Sequence, residues 1–128
     1  MPKTILLAAA SALLIATPAL AADVRGEIIN ANEHAEYAAQ ATDLKGAHMH
    51  MHHALNCLVG PNGAGFDAKE MNPCAGSGNG IIPDTADPAK KKPFQAAAEK
   101  AKAGIAENDF AKAKKIAEEL SAMLKPLE

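Results

Sequence analysis

Aromatic side chains are nearly missing from this chain: it has no Trp, one Tyr and three Phe, 3% of the sequence. Sheet proteins bury β-branched and aromatic residues on their pleated faces, so this composition disfavours a sandwich or barrel. Charge of either sign is also not in excess, with 13 Lys and Arg against 15 Asp and Glu. That excludes the basic footprint of a nucleic-acid binder. Cysteine occurs only as Cys57 and Cys74. With no CxxC and no CxxCH, a thioredoxin-like redox motif and covalent c-type haem are excluded. Catalytic motifs are lacking as well. Ser77 and Ser121 stand in no recognisable nucleophile setting. The glycines carry no Gly-Lys-Ser/Thr of a phosphate cradle, and Asp67 and Glu70 do not space as a calcium loop. No enzyme is expected.

What the chain has is alanine and histidine. Its 128 residues are 48% hydrophobic, dominated by Ala. Alanine is the best helix former and buries little surface, which predicts one small helical domain with a thin core. The five His and five Met outnumber the aromatics.

The N-terminus reads as a secretory signal peptide over residues 1–21. Met1-Pro2-Lys3 gives a positive start, Ile5 to Ala16 an apolar run broken only by Ser11, and Ala19-Leu20-Ala21 a small-x-small cleavage pattern. The run is too short for a membrane span, and no later segment is apolar enough for one. A periplasmic or secreted protein is expected, with no stable membrane insertion after cleavage. In that oxidising setting Cys57 and Cys74 form a disulfide by default.

Residues 22–128 are read as a single helical domain in three zones. In residues 23–58, Ile28, Ala31, Ala35 and Ala38 recur at helical spacing, Thr42-Asp43 offers a cap, and Gly46 a break. A second helix follows from about Leu44 to Leu58, with Leu44, Ala47, Met51, Ala54, Leu55 and Leu58 on its apolar face, stopped by Gly60-Pro61. Residues 59–93 hold six of the nine glycines and most of the prolines. Residues 94–125 are helical again, with Asn108-Asp109 separating two helices. The expected fold is all-α: a four-helix up-and-down bundle of two helical hairpins, joined by a Gly/Pro-rich loop tied by the disulfide. A three-helix arrangement with an unbroken first helix is the alternative.

Residues 48–53 read His-Met-His-Met-His-His. On a helix, His48 and His52 are i, i+4 neighbours, a spacing that lets two imidazoles hold one ion. Met49, His53 and Cys57 form another stripe, and His50 projects alone on the opposite flank. Met51 is assigned to the core. If the first two helices turn near Lys45, His34 returns to the level of His53, with Glu33 or Glu36 near it. The candidate metal ligands are therefore His34, His48, Met49, His50, His52 and His53. Imidazole suits copper, zinc and nickel, and thioether favours Cu(I), so a mixed His/Met set points to copper first, with zinc or nickel as alternatives. Non-covalent haem between helices is the least favoured cofactor.

The residues His34-Ala35-Glu36, Gly46, His52-His53-Ala54-Leu55 and the hairpin from Ala98 to Leu120 resemble the small metal-binding protein family, His-rich periplasmic four-helix bundles. That resemblance implies a metal-scavenging or buffering role carried by His34, His48, His52 and His53. The expected function is an exported protein that buffers or delivers copper through its His/Met cluster. Its expected partners are the ion itself and a periplasmic protein or a second copy of the chain. The competing reading is a periplasmic interaction module that uses the Gly/Pro-rich loop, with Phe66 and Ile81-Ile82, and has no metal role.

Overall fold

The computed structural model describes residues 21–128, so all of the expected leader except Ala21 lies outside the described residues. Within them the chain is helical, with no strand. The elements are α1 (Val24–Ala39), α2 (Leu44–Val59), a single turn α3 (Ile81–Asp84), α4 (Pro88–Ala106), α5 (Phe110–Leu124) and a closing 3-10 turn, Lys125–Leu127. No helix among the described residues is long and apolar enough to cross a membrane.

Each long helix starts on an aspartate. Asp23, Asp43, Asp87 and Asp109 accept hydrogen bonds from the backbone N–H of Gly26, Gly46, Ala89 and Lys112. These contacts satisfy amides that no helical carbonyl can reach, and each such cap stabilises by about 1 kcal/mol. Gly46, expected as a break, lies inside the first turn of α2 as the donor to Asp43 at 2.7 Å. The break falls instead at residues 40–43, so the first zone is two helices and the unbroken-helix alternative is set aside.

α1 packs against α2 and α5, and α4 packs against the same two helices. Short connections join α1 to α2 and α4 to α5, as antiparallel neighbours require. The core has two parts. One gathers Leu55, Leu58, Ile81, Phe94, Leu120 and Leu124 with Ala31, Ala35, Ala98 and Ala101. The other is Met51 among Ala38, Ala47, Ala113 and Ala117. Met51 is fully buried, as its place on the apolar stripe predicted. Gly104 of α4 faces it so closely that a Cβ there would collide with the Met51 sulfur. Small side chains thus bring helices close while burying little area, which leaves few large groups to stabilise the fold.

The connection after α2 is fastened at several points. Cys57 and Cys74 are disulfide-bonded, with Cα atoms 5.2 Å apart. Gly60, at φ 71°, ends α2 and lies against the backbone of Asn79 and Gly80, with no room for a side chain. Asn56 is fully buried. Its Nδ2 donates to the carbonyls of Asp67, Glu70 and Met71 at 3.0, 3.3 and 3.1 Å, and its Oδ1 accepts from the Asp67 N–H at 2.9 Å. One side chain of α2 therefore shapes the loop segment 67–71.

The connection is shorter than the expected 59–93, because α4 begins at Pro88 and Pro93 lies inside it. Proline at the first helical position forfeits an N–H that had no partner there. Pro93 has no N–H to give the carbonyl of Ala89, and Ala89 is exposed, so water can take that place.

Candidate metal centre

Three histidines from two helices converge on one point. His34 comes from the middle of α1, and His50 and His53 from adjacent turns of α2. Each offers a ring nitrogen, and these atoms all lie within 4.8 Å of one another. His34 Nδ1 is 3.2 Å from His50 Nδ1 and 3.3 Å from His53 Nδ1. Two nitrogens bound at the usual 2.0–2.1 Å to a tetrahedral ion stand about 3.3 Å apart, so the spacing is that of a shared coordination sphere. Hydrogen bonding alone serves this arrangement poorly. A neutral imidazole carries one N–H, and His34 Nδ1 cannot satisfy two acceptors with it. A cation meets all the lone pairs at once.

Helix geometry explains the grouping. His50 and His53 are i, i+3 neighbours, so they share a flank of α2. α1 lies against that flank and delivers His34. The residues of α1 on either side of His34 in the interface are Ala31, Ala35 and Ala38, each fully buried. Their small volume lets α1 come close enough for rings to meet across the helices. His53 is 6% exposed, whereas His34 and His50 are half-buried. Tyr37, one turn on from His34, lies edge-on to the His34 ring at 5.5 Å and tilted against that of His50 at 5.4 Å. His53 is the buried member of the three, and Tyr37 beside His34 and His50 is exposed.

Burial and the neighbouring rings disfavour a proton on these histidines. His34 is pushed down to about 4, first by burial and then by His53 and His50. His50 is lowered by burial and by His53. His53 is lowered by burial, an effect that Glu70 opposes. Near neutral pH the cluster is uncharged, with lone pairs available to a cation.

Glu70 completes the surroundings. Its Oε2 lies 3.3 Å from His53 Nε2. A carboxylate there favours the tautomer with hydrogen on Nε2, which leaves the Nδ1 lone pair facing His34. Carboxylate partners orient metal-binding histidines in this way. Sequence reasoning missed Glu70, and also Asn56, which positions the loop that carries it. Neither has a local signature, since both act through a fold-back of the chain.

The other expected ligands lie elsewhere. His48 Nε2 donates to the Glu107 carbonyl at 2.7 Å, tying α2 to the α4–α5 turn. Met49 is exposed on the surface of α2. His52 has a buried Nδ1 with no hydrogen-bond partner. The expected isolation of His50 is overturned, because it is a member of the cluster. Cys57 is bonded to Cys74 and is not available as a ligand. Glu33 and Glu36 are outside the cluster, Glu36 being engaged by Lys125 and Asn32.

Compared with family models, curated proteins and solved structures, the chain matches none.

Proposed function

We propose that this protein binds copper at His34, His50 and His53 and buffers or delivers it outside the cytoplasm, without catalysing a reaction. The observation that carries the reading is that His34 Nδ1 lies at ligand spacing from Nδ1 of both His50 and His53, within one three-histidine group. Copper is favoured over other ions because it binds most tightly to nitrogen donors among the divalent first-row metals. Three protein nitrogens leave a further coordination position. An open position permits exchange with a receiving protein, whereas closed four-ligand sites are structural.

The signal-like residues 1–21 and the Cys57–Cys74 bond support an exported, periplasmic or secreted location. We read the four long helices as an up-and-down bundle in which the metal is carried between the first pair. The resemblance to the small metal-binding protein family belongs to the same proposal, with the ligand set here drawn from His34, His50 and His53.

The test is a Cu(II) titration of the wild-type protein and of the variant with His34, His50 and His53 all replaced by Ala. Loss of the tight equivalent in the variant supports the reading. Unchanged tight binding contradicts it.

A further inference from the structure

Histidines 48 and 52 and Met49 are absent from the three-histidine centre, yet they share a surface. Together with Leu44, Lys45, Glu70 and Asn108 they line one open groove beside α2. Their chemistry there is unusual in three respects. Met49 is 38% exposed, so its thioether contributes little to the core. The Nε2–H of His48 is spent on the Glu107 carbonyl at 2.7 Å, so Nδ1 is the ring nitrogen left to meet a ligand. His52 Nδ1 is buried and has no partner, a costly state for a polar atom unless something occupies it. Leaning back along the helix, a side chain at position 52 covers the turn that carries position 48.

We propose that His48, Met49 and His52 form a second metal site, specific for Cu(I). Two imidazoles and a thioether make a soft, neutral donor set, the kind that selects Cu(I) over zinc or nickel. The charge of the groove points the same way. Lys45 on its wall repels a divalent ion twice as strongly as a monovalent one at the same distance. Glu70 supplies the single carboxylate of the lining. It also contacts His53 of the first centre, so one acidic side chain separates the two sites. The two sites would be neighbours on α2, Met49 being one turn before His53, one site offering nitrogen alone and the other nitrogen and sulfur. The inference uses none of the ligands of the first centre and stands or falls separately from it.

Cu(I) titration against a competing chromophoric chelator, under reducing but disulfide-sparing conditions, tests it. The wild-type protein is expected to bind two equivalents. The variant His48→Ala, Met49→Leu, His52→Ala loses one and keeps its Zn(II) binding at the three-histidine centre, which shows that it is folded. The variant lacking His34, His50 and His53 retains one Cu(I) equivalent. X-ray absorption of that bound copper shows a sulfur neighbour, and the further change Met49→Leu, at an exposed position, removes it. A three-histidine variant that binds no Cu(I) overturns the proposal. So does a groove variant that still binds two, or retained copper with no sulfur neighbour. If the three-histidine variant loses nothing, the first centre fails while the second site stands.

Discussion

Glu70 Oε2 lies 3.3 Å from His53 Nε2, on the edge of the ring away from the nitrogen that faces His34. The contact joins a loop residue to a helix residue 17 positions earlier and gives the cluster its only carboxylate partner among the described residues. Removing it leaves the three ligands in place but frees the His53 ring to take the other tautomer. Glu70→Gln is expected to lower metal affinity by about 10- to 100-fold with stoichiometry unchanged. Competition titration checks this, and equal affinity would remove Glu70 from the account.

Asn56 holds three loop carbonyls and one loop N–H from a fully buried position. Asn56→Ala leaves those groups without partners and opens a small void. The expected cost is about 3 kcal/mol, read by chemical denaturation. Because the same bonds place Glu70, the variant is also expected to weaken metal binding as Glu70→Gln does. Asn56→Asp keeps the acceptor for the Asp67 N–H but turns a buried carboxylate oxygen on three carbonyls, and is expected to cost at least as much as Asn56→Ala.

The disulfide closes a loop between residues 17 apart. In the chain-entropy description such a bond stabilises by roughly 3 kcal/mol, a large share for a small domain with a thin core. Thermal unfolding with and without reductant is expected to show a lower midpoint for the reduced protein, by about 10 °C or more. An unchanged midpoint would mean that the loop's other fastenings suffice.

Glu27 gives a pH dependence of its own. It is fully buried, its Oε1 accepts from the Gly80 N–H at 3.0 Å, and its Oε2 has no partner. Burial raises its pKa from 4.5 to about 7; the Gly80 bond opposes this, and the charges of Asp84 and Asp23 add to it. The folded state then holds a proton that the unfolded chain releases near 4.5. The stabilisation is complete below pH 4.5 and is lost as pH rises through about 7. The histidine cluster acts in the opposite sense, since its lowered values favour folding as pH rises, so the comparison must be made against Glu27→Gln. Between pH 5 and 8 the wild-type protein is expected to lose on the order of 2 kcal/mol relative to that variant. Parallel stability curves would contradict the assignment.

Much of the fold was legible because its signals are local. Asp43 and Gly60 bracket α2 as capping chemistry requires, and the apolar stripe through Met51 and Leu58 faces inward. Gly46 misled because a glycine near a helix start can be a cap donor as readily as a break. Pro93 misled because proline is tolerated where its lost hydrogen bond is exposed. The histidine cluster was legible in part. The His-rich run marked α2, and the hairpin brought back His34 as expected. Which flank met α1 was not written in the run itself. That depends on the alanines of α1, and it selects the His50–His53 pair over the i, i+4 pair His48–His52. Glu70 and Asn56 depend on a loop path that no periodicity encodes.

The central claim is that three particular nitrogens hold one ion. Nitrogen-15 NMR of the imidazole rings during Zn(II) titration reads those atoms directly, and zinc has no preference for the thioether. The account predicts that the first equivalent shifts Nδ1 of His34, His50 and His53 together and leaves His48 and His52 unmoved. Shifts confined to His48 or His52, or no shift in any ring, would contradict it.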